Sequence, residues 1–114
     1  IIMTTLAQPV WAFSIGDLYR FCEPYFENSM SLTGLSEPEM DYTLACLGYH
    51  NGVLDTALAV CKYSENSGDK AAFGTSITDP NESVRRFMIY AKDARDEWDA
   101  GPFPPYWISN TCKE

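Results

Sequence analysis

The stretch Asp79-Pro80-Asn81-Glu82-Ser83-Val84-Arg85-Arg86-Phe87-Met88-Ile89-Tyr90-Ala91-Lys92, running on to Ala100-Gly101-Pro102, decides the fold class. Asp79 can cap a helix, and Pro80 suits the first helical position, where its missing N–H removes no hydrogen bond. Glu82 stands three residues after the cap, as in a capping box. Val84, Phe87, Met88, Ala91, Ala94 and Trp98 recur at three- and four-residue steps, which places one apolar stripe along a helix of roughly 30 Å. Gly101-Pro102 stops it. The pattern predicts a core helix over 79–100.

The same signals recur toward the amino terminus. Ser36-Glu37-Pro38-Glu39 has a cap, an early proline and a glutamate at the third position, and it opens a helix carrying Met40, Leu44, Ala45 and Leu47. Gly48 reads as its end. Asn51-Gly52 reads as a turn into a further helix over 53–61, with Val53, Ala57, Leu58 and Cys61 on one face, so the two form a helical hairpin. Ser14 to Phe26 gives another helix, with Ile15, Leu18, Tyr19 and Cys22 on one side and Pro24 closing it early. Ser64 to Thr78 is rich in Ser, Gly, Asn and Asp without sustained period and reads as a mobile surface loop. Gly101 to Trp107 holds three prolines and must be extended or turned. The expectation is an all-α, mainly helical fold: a small bundle of about four helices with an irregular proline- and aromatic-rich carboxyl-terminal segment.

The chain has 114 residues, room for one domain and one core. Its hydrophobic fraction of 46% lies far from the composition that keeps chains disordered. Sixteen acidic against eight basic residues give a net charge of −8, which repels nucleic-acid phosphates and anionic membranes. Residues 1–12 are apolar, and Val10 and Ala12 fit the −3 and −1 positions of a signal-peptide cleavage site before Phe13. They read as a signal-peptide remnant or an apolar arm, leaving 13–114 as the folded domain. No run is long enough to span a bilayer.

Cys22, Cys46, Cys61 and Cys112 form an even, widely spaced set with no CxxC pair to suggest zinc or redox chemistry. They read as disulfides of a secreted protein. Asn81-Glu82-Ser83 is an N-glycosylation sequon, making Asn81 a candidate glycan site, and Asn110-Thr111-Cys112 is a rarer variant that would crowd a bond made by Cys112. In an antiparallel hairpin Cys46 and Cys61 would be separated by about 13 Å along the axis, plus the spacing between helices, which disfavours that bond. Two connectivities remain: Cys22–Cys61 with Cys46–Cys112, or Cys22–Cys46 with Cys61–Cys112. Both fasten the hairpin to the two ends of the chain.

Chemistry-bearing motifs are sparse. There is no GxSxG, HExxH, phosphate loop or GxGxxG, and no cofactor-binding or metal-ligand pattern. The one histidine, His50, falls at the expected turn and reads as a surface residue or structural donor rather than a catalytic base. In the carboxylate cluster Asp93, Asp96, Glu97 and Asp99, the first three fall on one helical face, which reads as a solvated face partly compensated by Lys92 and Arg95. Phe103, Tyr106 and Trp107 are candidates for a contact surface or for a lid on the core.

Leu18-Tyr19-Arg20-Phe21-Cys22, Leu44-Ala45-Cys46 followed by Leu54-Asp55-Thr56-Ala57-Leu58 and Cys61, the Tyr90 helix and Pro104-Pro105-Tyr106 resemble one family. It is the extracellular amino-terminal domain of fungal ferric/cupric reductases, membrane flavocytochromes that reduce metal outside the cell. The resemblance implies a non-catalytic, extracellular ectodomain whose natural polypeptide continues past Glu114 into a transmembrane segment, with the rest of that membrane protein as its partner. Such ectodomains usually have more than four cysteines. The family's haem-binding histidines and its flavin and NADPH domains have no counterpart here. Two other readings stand beside it. One is a free-standing secreted fungal effector or toxin-like protein acting by protein contact, and the other is a small secreted hydrolase using His50 and a carboxylate.

Overall fold

The computed structural model describes residues 13–67, 75, 77–101, 103, 107 and 112. The apolar segment 1–12 lies outside the described residues, as do Tyr106, Asn110 and Thr111. Three α-helices are present among those described: α1 (Ile15–Glu27), α2 (Glu37–Ser67) and α3 (Pro80–Asp93), followed by a single 3-10 turn at Arg95–Glu97. Every pair of α-helices is in contact. The mainly helical, disulfide-stapled class expected from the sequence is the one found.

The starts of the helices follow side-chain chemistry. The Ser14 hydroxyl accepts from the Asp17 N–H while the Asp17 carboxylate accepts from the Ser14 N–H, a complete capping box. Ser36 and Glu39 make the same reciprocal pair at the head of α2. At α3 the Asp79 carboxylate accepts from the Asn81 N–H, and Pro80 takes the first helical position. Glu82 does not complete a box there. Its carboxylate is taken by Arg85 and Arg86 one turn on, and these hydrogen bonds hold its pKa down at about 2.

The largest departure from the sequence reading is α2. No hairpin forms: residues 37–67 are one continuous helix of 31 residues, about 46 Å long, and Gly48, Asn51 and Gly52 lie inside it. The buried stripe explains why. Thr43, Cys46, His50, Leu54 and Ala57 follow one another at steps of three, four, four and three without interruption, so a turn at 48–52 would pull His50 off the core. Both glycines point into open space on the exposed side, where each weakens the helix by only about 1 kcal/mol. Two of the expected helices therefore merge into one. The helix also runs on to Ser67, into the segment that reads as a loop; residues 68–74 and 76 lie outside the described set.

Pro24 does not end α1, which continues to Glu27 with the proline inside. Past Glu27 the chain turns with Ser29 and Met30 both left-handed, at φ of 56° and 58°. The Met30 N–H donates to the Tyr25 carbonyl, and the Asn28 side-chain amide donates to the carbonyls of Ser31 and Thr33, which holds this costly pair of conformations in place.

Helix α3 stops at Asp93, short of the expected Ala100, and the chain tightens into the 3-10 turn. Asp93, Asp96 and Glu97 therefore do not share one α-helical face. Trp98 turns back instead. Its indole N–H donates to the Ala91 carbonyl at 2.8 Å, its ring packs on Tyr19, and its own carbonyl accepts from the Gly16 N–H at 3.1 Å. Gly16 suits this close approach, since a Cβ would come within 3.2 Å of Trp98 Cβ and 3.3 Å of its carbonyl oxygen and force the tryptophan to give by a few tenths of an ångström. The core is built from Ile15, Leu18 and Cys22 of α1, Cys46, Leu54 and Ala57 of α2, and Val84, Phe87, Met88 and Ala91 of α3.

Two disulfides lock this arrangement: Cys22–Cys46, joining α1 to α2, and Cys61–Cys112, joining the far part of α2 to the carboxyl-terminal segment. With α2 continuous, Cys46 and Cys61 lie about 22 Å apart on one rigid rod and cannot bond. The expectation that this pair is excluded stands, but its reason is the straight helix rather than a hairpin. In the chain-entropy model the two loops correspond to about 3.5 and about 4 kcal/mol of stabilisation.

Candidate functional site

Among the described residues, a concentration of buried polar groups lies where α2, α3 and the carboxyl-terminal segment meet. His50, placed on the buried stripe of α2, is 0% exposed. Its Nδ1 lies 2.7 Å from the hydroxyl of Ser83, and the indole N–H of Trp107 donates to that same hydroxyl at 2.9 Å. Ser83 is also fully buried, on the stripe that α3 turns inward.

Proton roles follow from the donors available. An indole N–H can only donate, so the Ser83 oxygen accepts from Trp107, and the direction of its contact with His50 Nδ1 is set by the ring tautomer. Nε2 and the Thr43 hydroxyl oxygen are the two buried side-chain polar atoms without a hydrogen-bond partner among the described residues. Aromatic rings enclose the imidazole: Tyr49, Phe87 and Trp107 all lie within 5.8 Å of it, centroid to centroid. Burial alone pushes the His50 pKa down to about 3, so the ring is neutral at physiological pH. Burial likewise raises the Tyr49 phenol to about 12.

This geometry differs from that of a nucleophile and base. A hydrolytic serine needs a substrate path and an imidazole oriented by a third group. Here both partners are sealed from solvent and the serine oxygen accepts from an indole. The cluster works as a buried polar clamp. It ties the middle of α2 to the first turns of α3 and draws Trp107 down onto both.

The disulfide Cys22–Cys46 adjoins the clamp. Its two sulfurs and one His50 ring nitrogen all lie within 4.8 Å of one another, and all three residues are buried. Cys46 and His50 are one helical turn apart on α2, and Cys22 faces them from α1. Cys61 and Cys112 are only half-buried. No cysteine is free.

The remaining candidates divide. Trp107 is 6% exposed and seals the core, so it lids the core and is not a contact surface. Phe103 is half-buried against Phe87 and Trp107. Asn81 is exposed in the first turn of α3, where its side-chain carbonyl accepts from the Tyr25 hydroxyl at 2.8 Å. Its sequon partner Ser83 is the buried centre of the clamp, which gives Ser83 a structural reason to be there. His50 lies mid-helix rather than at a turn. Sequence reading missed the pairing of His50 with Ser83 and Trp107; the available signal was that residues 50 and 83 each sit in register with a buried stripe.

Large apolar side chains remain exposed on α2 at Tyr42, Leu44 and Tyr63, and on α3 at Ile89. No helix among the described residues is long and apolar enough to cross a membrane. Comparison with protein-family models, curated proteins and solved structures gives no match.

Proposed function

We propose that the chain is a non-catalytic binding domain, cross-linked for service in a secretory or extracellular setting and acting through contact with a protein partner. The observation that carries this reading is the use made of its reactive groups. All four cysteines are consumed in two bridges, and the one histidine is buried as part of a polar clamp. What α2 and α3 leave at the surface is a rigid frame bearing exposed Tyr42, Leu44, Tyr63 and Ile89. A disulfide-fixed frame of this kind suits binding, because little conformational entropy is lost when it docks. The acidic balance argues against nucleic acid as the partner. The finer form of the proposal, an ectodomain attached to a fungal metalloreductase, is supported by the sequence resemblance.

The test sets binding against chemistry. The oxidised chain is treated with a fluorophosphonate probe and screened against ester and peptide substrates, alongside a His50→Gln variant. Ser83 should stay unlabelled while the chain is folded, with no turnover to lose. Labelling of Ser83 in the native chain, or turnover that disappears on His50→Gln without loss of folding, would contradict the proposal.

A further inference from the structure

The clamp leaves two buried polar atoms without partners, and both lie on the α2 stripe that carries Cys46. Thr43 precedes Cys46 by three residues and His50 follows it by four, so both flank the same disulfide sulfur along one helix face. Buried polar atoms are almost always hydrogen-bonded, and two orphans on the stripe that carries Cys46, one of them on the residue beside the disulfide sulfurs, call for an explanation. The disulfide supplies one. A bridged cysteine pair offers these groups little, whereas the same pair as thiolates is half of a metal site.

We propose that the dithiol form of this chain, with Cys22 and Cys46 unbridged, binds one Zn²⁺ through Cys22 Sγ, Cys46 Sγ and His50 Nε2. Tetrahedral zinc, with bonds of about 2.3 Å to sulfur and about 2.0 Å to nitrogen, sets its donors roughly 3.3–3.8 Å apart. The two sulfurs and one ring nitrogen of His50 already lie within 4.8 Å of one another, held by two helices whose Cα atoms at Cys22 and Cys46 are 5.0 Å apart. Opening the S–S bond and turning the two side chains brings them to zinc distances. Nδ1 is engaged by Ser83, so Nε2 is the nitrogen left to coordinate. With Nε2 on the metal, the ring proton is on Nδ1 and is donated to the Ser83 oxygen, the outer contact that usually orients an imidazole ligand. The Ser83 hydrogen then turns to a carbonyl of the preceding helical turn.

Charge selects the metal. Two thiolates, a neutral imidazole and a divalent ion sum to zero, the one total that a dry apolar core accepts without a large desolvation cost. A monovalent ion would leave a buried negative charge. Binding releases two protons, one from each thiol. Every newly made chain carries its cysteines as thiols, so the dithiol form precedes the bridged one. The proposal is independent of the binding-domain reading.

The experiment uses the full chain with Cys61→Ser and Cys112→Ser, which leaves a single cysteine pair. A trialkyl phosphine reduces it anaerobically, the phosphine taking up the oxygen of water as its oxide while the disulfide gains two hydrogens. Co²⁺ is then titrated as a spectroscopic probe and displaced by Zn²⁺. One Co²⁺ per chain is expected, with thiolate-to-cobalt charge-transfer absorption, restoration by Zn²⁺ of any helical circular dichroism lost on reduction, and no such band in the oxidised chain. His50→Asn should weaken Zn²⁺ binding at least about tenfold, and Cys22→Ser should abolish the band. Absence of the band, an equal band in the oxidised chain, unchanged affinity in His50→Asn, or a reduced chain that unfolds and is not rescued by Zn²⁺ would each overturn the proposal.

Discussion

Lowering the pH from 7 to 4 should strip stability from this protein through one residue. In the unfolded chain His50 titrates at its ordinary value of 6.5, whereas burial holds the folded ring neutral down to about 3. Between those values the unfolded state binds a proton that the folded state refuses, so stability rises with pH across the window. The contribution is present in full above about pH 6.5 and is lost progressively as the pH falls toward 3. From pH 6.5 to 4 the difference spans about 2.5 pH units at about 1.4 kcal/mol each, or roughly 3 kcal/mol. That is a large part of the ~5–15 kcal/mol of a typical domain. Acid also relieves the repulsion among the net −8 charges, which works the other way, so the comparison must be internal. Urea unfolding followed by circular dichroism at pH 7, 5 and 4 should show the wild type losing about 3 kcal/mol more than His50→Phe, whose ring cannot take a proton. Carbon-13 shifts of the His50 ring should stay those of a neutral imidazole down to pH 4. A ring that titrates near 6.5 in the folded protein would refute the buried clamp.

The clamp and the long helix give further tests. Ser83→Ala removes the shared oxygen and leaves the Trp107 indole N–H and His50 Nδ1 buried without partners, so denaturant unfolding should register a loss of about 3 kcal/mol. Gly48→Ala and Gly52→Ala fill open space on a continuous helix and should each raise stability by about 0.5–1 kcal/mol; destabilisation by both would favour a turn at these positions. Gly16→Ala should do the reverse, because the new methyl meets the Cβ and carbonyl of Trp98, with a loss of about 1–3 kcal/mol seen in thermal melts.

What the sequence disclosed depended on how local each signal is. Ser14, Ser36 and Asp79 announce their helices because a cap acts within three residues, and all three helices start beside them. Asn51-Gly52 misled for the same reason. It is a strong local turn signal, and what overrode it was the unbroken buried stripe from Thr43 to Ala57, which acts over the whole helix. Pro24 is a similar case: α1 carries on past it for one more turn under cover of the core. The helix around Phe87 ends early because Trp98 folds back on Ala91, a contact no periodicity encodes. The candidate site was the least legible part. His50, Ser83 and Trp107 are brought together only by packing of α2, α3 and the tail, and the two cross-pairings of the cysteines are equally compatible with the sequence.

All of this rests on which cysteines are joined, and that is open to direct measurement. The folded chain, digested without reduction under acidic conditions that prevent exchange, should yield two linked peptide pairs, one holding Cys22 with Cys46 and the other Cys61 with Cys112, with no free thiol. Recovery of Cys22 joined to Cys61, or of four free thiols from native protein, would contradict it.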